Sequence, residues 1–362
     1  MRPHYVSIVW WSVLLAGVPP SHATQLNPAS LKAAAAYSER RGGLSMLVLE
    51  RNHPIFEEYA NGFARDRITS IFSGTKGFWC VAATAAQEDG ILDLDEPVQN
   101  TITEWQSMPD KEGVRIRDLL SFTAGIEPVF SLHGRSIRDR NGYSIHLRAV
   151  EPRGDAFMYG PSQLQIFSEV LKRKLARRGM TPEQYLSRRI LRPLGIWYVD
   201  FREDEKGNPL LASGFKLTAR QWSQLGTLIL NDGKYRRHRF VDSDLLDECF
   251  VGTKANPMFG MGFWVNRDAS EPSAREVDVE NMLNIPWQRQ SWRHTCLCKD
   301  APRDLIAAIG SGYQRMYIIP SMDLVIVRQG SGARFSDAHF LRLLFANSEQ
   351  PEFLSPGRQD QR

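Results

Sequence analysis

Several familiar signatures are missing from this 362-residue sequence. There is no Gly-x-Ser-x-Gly elbow, no His-Glu-x-x-His pair and no glycine-rich phosphate loop. Those absences set aside the α/β-hydrolase, zinc-peptidase and P-loop nucleotide routes to chemistry. After the first 25 residues no run of eighteen apolar residues occurs, so the body of the chain lacks the pattern of a membrane-spanning helix. An excess of one charge is lacking too. Forty-five Lys and Arg against 41 Asp and Glu leave +4, without the dense basic patch that marks a nucleic-acid binder. Internal repeats and low-complexity segments are not evident. What remains, at 42% hydrophobic and 24% charged residues, is the composition of an ordinary globular protein.

The first 23 residues read as an export signal. Arg2 supplies a positive charge, Val6 to Gly17 form a short apolar run, and Pro19 and Pro20 break it. Ser21-His22-Ala23 then matches a small-x-small cleavage site. An exported chain, periplasmic or secreted, is the expectation. Export permits disulfides, and there are four cysteines, Cys80, Cys249, Cys296 and Cys298. Cys80 falls in an expected helix and reads as a small buried hydrophobe. Pairing of Cys249 with Cys296 or Cys298 is the more plausible bridge, although pairing is not readable from sequence. His294-Thr-Cys296-Leu-Cys298 has the wrong spacing for structural zinc, so no metal and no cofactor are expected.

Strand patterns sit at both ends of the chain. Residues 44–49 and 54–60 flank the turn residues Asn52, His53 and Pro54, and three more apolar strands are expected over 304–309, 313–319 and 322–328. Residues 28–41 and 335–347 read as helices, the first ended by Gly42-Gly43. Between the ends the pattern is mostly helical, over 74–89, 162–178, 182–192 and 219–231. The expected fold is α/β in the α+β sense: one antiparallel sheet built from both termini, flanked by helices, with an all-helical lobe inserted between its strands. The sheet region would take in about 28–66 and 300–347 and the lobe about 67–299, one catalytic unit over 24–349 with a polar tail over 350–362. Basic runs at 171–178 and 235–239 read as solvated faces, with weak attraction to an anionic cell envelope as the other reading.

The chemistry concentrates at Ser73-Gly-Thr-Lys76, which opens the apolar helix pattern Phe78-Trp-Cys-Val-Ala-Ala83. Three residues apart on a helix start, Ser73 and Lys76 share a face. The partial positive charge of the helix N-terminus favours negative charge at the serine oxygen. A lysine in apolar surroundings loses part of its preference for the ammonium form. It can then take the serine proton and make a nucleophile of a hydroxyl.

Two further runs give that short motif its meaning. Glu88-Asp-Gly-Ile-Leu-Asp-Leu-Asp-Glu-Pro-Val98 follows the helix, and Val114-Arg-Ile-Arg-Asp-Leu-Leu-Ser-Phe-Thr-Ala-Gly-Ile126 comes after it. In this order the chain resembles the serine β-lactamase-like and penicillin-binding-protein-like hydrolases, from about Gly43 to Ser331. That family includes class C β-lactamases, D-alanyl-D-alanine carboxypeptidases, serine-lysine esterases and 6-aminohexanoate-dimer hydrolases. The resemblance implies catalysis through Ser73 and Lys76. It assigns Tyr159, in Met-Tyr159-Gly-Pro161-Ser162, as the phenol that shares the serine proton; a neighbouring ammonium would favour its phenolate. The usual Tyr-x-Asn asparagine is replaced by Pro161, for which Ser162 is the partial substitute at the substrate.

The family's third motif, Lys-Thr-Gly or His-x-Gly in peptide-processing members, is Ala308-Ile309-Gly310 here, followed by Ser311. The resemblance implies an oxyanion hole from the N–H groups of Ser73 and Ser311 and a substrate-binding strand around Ala308, Gly310 and Ser311. Without the asparagine and the cation, the expectation is an ester or linear-amide hydrolase. The alternatives are a β-lactamase or D-amino-acid cell-wall peptidase, in which Arg315, Arg293 or His294 reaches a substrate carboxylate, and a catalytically silent ligand-binding relative. Partners are small-molecule esters, amides or peptides, with no nucleic acid.

Overall fold

The computed structural model describes residues 26–346, with positions 135 and 333 also excepted. The expected export segment 1–23 and tail 350–362 lie outside the described residues. Six antiparallel strands form the main sheet, in the spatial order His53–Tyr59, Gly43–Glu50, Leu324–Gly330, Gln314–Ile319, Ile306–Gly310 and Trp264–Val265. The N-terminal strand and the last strand are neighbours, with Leu47 opposite Val327, so the two ends of the chain close one sheet as expected.

Side chains alternate between the faces of a strand, and Met316 and Tyr317 show what covers each face. Gly226 of the Ala219–Leu230 helix packs against Met316 and Val325. The Tyr317 ring instead meets Phe340 of the Asp337–Phe345 helix at 6.1 Å. Helices therefore lie on both faces, which is why Gln314–Ile319 and Leu324–Gly330 are buried along their whole length. The first helix, Pro28–Arg40, is capped by Asn27, whose side chain accepts the Ala29 N–H. Its Tyr37 packs on Phe335 and His339 at the start of the last helix.

The inserted region is not all-helical, a correction to the sequence reading. Trp264–Val265 leaves it to pair with Ile306 and Ala307 at the sheet edge. Two-residue strand pairs also join Thr69–Ser70 to Lys216–Leu217, Lys234–Tyr235 to His238–Arg239, and Arg275–Glu276 to Thr295–Cys296. Strands this short show no alternation to read in a sequence. The expected helix over 182–192 divides into an α-helix, Pro182–Leu186, and a π-helical turn, Ser187–Leu191.

Cysteine pairing is a second correction. Cys80 is bonded to Cys249 across 169 residues, which staples the Thr75–Glu88 helix to the Glu248–Phe250 turn. Cys296 and Cys298 are free and buried, and burial raises their thiols to about 11 and about 12. Packing of the helix against the turn at residue 249 decided the pairing, and sequence distance carries no trace of it.

Candidate active site

The Thr75–Glu88 helix is buried from Thr75 to Ala86, on all sides, as its apolar run Phe78 to Ala83 requires. Its entrance is the short turn Phe72–Gly74. Phe72 holds φ at +45°, a left-handed conformation that costs a bulky residue energy and is kept only where surroundings enforce it. They do so here. The Ile71 N–H donates to Phe215 O at 3.0 Å, and the Phe215 N–H donates to Thr75 Oγ1 at 3.3 Å.

Lys76 is 3% exposed. Its Nζ lies 2.7 Å from Ser73 Oγ and donates to Ala212 O, also at 2.7 Å. No carboxylate pairs with it among the described residues. Burial alone therefore drives its pKa well below the usual lysine value, which weakens its hold on the ammonium form beside the serine.

Tyr159 reaches the same point from a different segment. The Met158 N–H donates to Phe122 O at 2.8 Å, and the Gly154 N–H donates to Thr123 O at 2.8 Å. Gln163 adds a clamp, accepting the Ala124 N–H at 3.0 Å and donating to Met158 O at 3.1 Å. Gly125 must be glycine. It holds φ at +75°, and a Cβ there would stand 2.0 Å from Glu151 O. The Arg-Asp-Leu-Leu-Ser-Phe-Thr-Ala-Gly run is thus the cradle of the tyrosine loop.

Phe122, Phe157, Phe259 and Trp264 surround the Tyr159 ring at centroid distances of 4.8 to 6.1 Å. Lys76 Nζ lies 4.6 Å from the ring centroid, and the hydroxyl hydrogen-bonds Ser73. Burial raises the Tyr159 phenol well above its ordinary pKa, against the lowering effect of the Ser73 bond and with a further push from the Glu280 charge. The expected phenolate is therefore corrected to a neutral phenol. The same burial weakens the Lys76 ammonium that would have favoured it.

The third-motif strand lies beside this turn. Gly310 approaches so closely that a Cβ would sit 2.0 Å from Ile71 O, so no other residue fits. Ala308 is 1% exposed and pairs with Met316. Ser311 is exposed at the tip of the hairpin, and its N–H has no hydrogen-bond partner among the described residues. Arg315 clamps the turn from within, donating to Gly310 O at 3.2 Å and to Gln314 O at 3.0 Å. Arg328 donates to Tyr313 O at 2.6 Å.

Ser162 departs from its expected role at the substrate. It is 1% exposed, and its hydroxyl accepts the Val129 N–H at 2.8 Å. It is a framework residue because it opens the buried Ser162–Ala176 helix. Arg315 also cannot meet a substrate carboxylate, since its side chain is 0% exposed and bound to Asp337 and Glu280. His294 faces Glu271 at 3.1 Å.

Sequence reasoning missed three contributors: the Ala212 carbonyl, Glu280 and His133. His133 Nδ1 lies 3.2 Å from Ser213 Oγ. Burial, with the charges of Lys76, Arg202 and Arg140, lowers its pKa to about 4, so the imidazole is neutral. No local motif marks any of the three, because each meets the centre only through the fold. A cavity of about 420 Å³ opens beside Phe72, lined by Ser70, Arg202, Gly214 and Lys216 among others. Glu276, Cys298 and Asp300 gather within 4.8 Å of one another. The Arg342 guanidinium binds both carboxylates and so occupies the place a cation would take.

A family model described as Beta-lactamase matches residues 30–328. Monacolin J acid methylbutanoyltransferase from Aspergillus terreus is 28% identical over 209 residues, covering 50% of this chain and 48% of the relative. The chain spans about half the length of the curated relatives it matches. Among solved structures, EstCE1, a hydrolase with promiscuous acyltransferase activity, superposes with a TM-score of 0.64 at 16% identity, covering 87% of this chain and 95% of that one. A penicillin-binding protein homologue from Caulobacter crescentus gives a TM-score of 0.62 at 14% identity, with 88% and 96% covered. At such identities these structures share the fold.

Proposed function

The chain belongs to the beta-lactamase family, and from that premise we propose that it is a serine hydrolase that forms an acyl-enzyme on Ser73 and hydrolyses an ester or linear amide. The observation that carries the reading is the buried, carboxylate-free Lys76 amine 2.7 Å from Ser73 Oγ. Lys76 accepts the Ser73 proton as Oγ attacks the acyl carbon. The oxyanion that forms is met by the N–H groups of Ser73 and Ser311. Collapse expels the alcohol or amine, which takes its proton from the Lys76–Tyr159 pair through the neutral phenol. Water then attacks the acyl-enzyme, gives a proton to the same pair and returns Ser73 to its starting state.

Absence of a cation at Ala308, with Arg315 buried behind the turn, favours esters and linear amides over β-lactams and D-amino-acid peptides. The test is the initial rate on p-nitrophenyl butyrate and on a chromogenic cephalosporin, beside Ser73→Ala. We expect ester turnover that falls by about 10³-fold or more in Ser73→Ala, with little lactam cleavage. Fast cephalosporin hydrolysis would transfer the assignment to a β-lactamase. Uptake of neither fluorophosphonate nor fluorescent penicillin would favour a silent binder. The leader-like residues 1–23 support an exported location, and the expected mature N-terminus is Thr24. An exported protein still beginning at Met1 would overturn that cleavage.

A further inference from the structure

Beyond Ser311 the hairpin turn carries two consecutive left-handed residues, Gly312 at φ +74° and Tyr313 at φ +58°. Their N–H groups both point at one carboxylate. Glu280 Oε2 accepts from Gly312 N at 3.1 Å and Oε1 from Tyr313 N at 2.7 Å. Oε1 also accepts from Arg315 Nη1 at 3.0 Å. Two adjacent backbone donors plus a guanidinium are the donor set with which proteins bind a free carboxylate. In this chain the carboxylate is supplied internally, from the helix Val279–Leu283, which Asp278 caps.

The location matters as much as the donors. The filled anion site begins one residue past the proposed oxyanion donor, and the Glu280 side chain is 20% exposed. Its charge is felt at Tyr159, hence within the reaction centre. A substrate carrying a carboxylate toward this end of the cleft would find all three donors taken and a like charge in place. A neutral or cationic group would meet neither obstacle.

We propose that Glu280 is a built-in carboxylate that fills the anion site beside the Ser311 turn and restricts the enzyme to acyl substrates lacking a carboxylate at that end. Glu280 is a specificity-determining residue in this scheme. The proposal rests on the serine-hydrolase reading above and names the substrate class of the same site.

The matched probes are p-nitrophenyl butyrate and mono-p-nitrophenyl succinate, which differ chiefly in one terminal carboxylate. Wild type should prefer the butyrate by about tenfold or more in kcat/KM, as expected for removal of a partly buried like charge. Glu280→Ala should narrow that preference by about tenfold, mainly through a lower KM for the succinate ester. Glu280→Gln should fall between the two, and Glu280→Asp should keep the wild-type preference. An unchanged preference in both Glu280→Ala and Glu280→Gln overturns the proposal. Failure of the hydrolase reading is separable, since it would show as ester turnover that survives Ser73→Ala, or as no turnover in any protein. In the latter case acetate decides. Acetate should raise the Tm of Glu280→Ala, by binding in the vacated site, more than that of wild type. An equal response in the two proteins overturns the proposal.

Discussion

Lys76 and Arg315 are both basic side chains buried at or near Ser73 and its neighbouring turn, and the structure treats them in opposite ways. Arg315 has two carboxylates. Asp337 binds its Nε at 2.6 Å and Nη2 at 3.1 Å, and Glu280 takes Nη1. Despite burial, those charges raise its pKa. Lys76 has a serine hydroxyl and a carbonyl oxygen and no carboxylate, so burial lowers its pKa without opposition. A buried arginine with matched anions holds the hairpin together; a buried lysine left without them holds its proton less firmly, as the proposed base requires. Two regions of one molecule thus use burial for rigidity and for reactivity, and the presence of carboxylates decides which.

The contrast is broken most severely by removing one member of each region. Lys76→Met should lower kcat by about 10³-fold, yet leave the denaturation midpoint unchanged or raised, because an unpaired buried amine contributes desolvation cost and few bonds. Asp337→Ala should instead destabilise the protein by about 3–5 kcal/mol in urea unfolding, by taking from Arg315 the carboxylate that holds Nε and Nη2 and from the Tyr317 hydroxyl its acceptor. Comparable stability losses in the two variants would end the distinction.

A gentler change makes the first region resemble the second. Ser213 follows the carbonyl that binds Lys76, and Ser213→Asp places a carboxylate near the amine. In the proposed mechanism the active form of Lys76 is unprotonated, so kcat/KM should rise with pH through a pKa well below the usual lysine value. In Ser213→Asp that limb should move upward by about one pH unit or more, because the added charge favours the ammonium form. A stationary limb in the pH–rate profile would mean that a group other than Lys76 controls it.

Much of this was legible beforehand, for reasons that differ by element. The terminal strands stood out because five of them are five residues or longer and rich in strand-forming residues, and the Ser162–Ala176 and Ala219–Leu230 helices because their apolar faces recur. Trp264–Val265 escaped notice since two residues have no period. Ser73 and Lys76 are visible as a pair because a helix start places residues three apart on one face. Ser162 misled: its position after Tyr159 suggested substrate contact, whereas the helix it opens turned its hydroxyl to Val129. The tyrosine's expected phenolate failed for a reason the sequence does not carry, the aromatic shell gathered from Phe122, Phe157, Phe259 and Trp264.

The sequence alone determined the spacing of Ser73 and Lys76, the family pattern around it and the order of the longer strands and helices, because these depend on residues close together in the chain. Tertiary structure alone decided which neighbours each buried group of the site meets. Ala212 meets Lys76 across 136 residues, Cys80 meets Cys249 across 169, and Glu280 meets the Gly312 N–H across 32. Whether a buried group keeps its proton is a sum over neighbours in space, and only the folded chain chooses those neighbours.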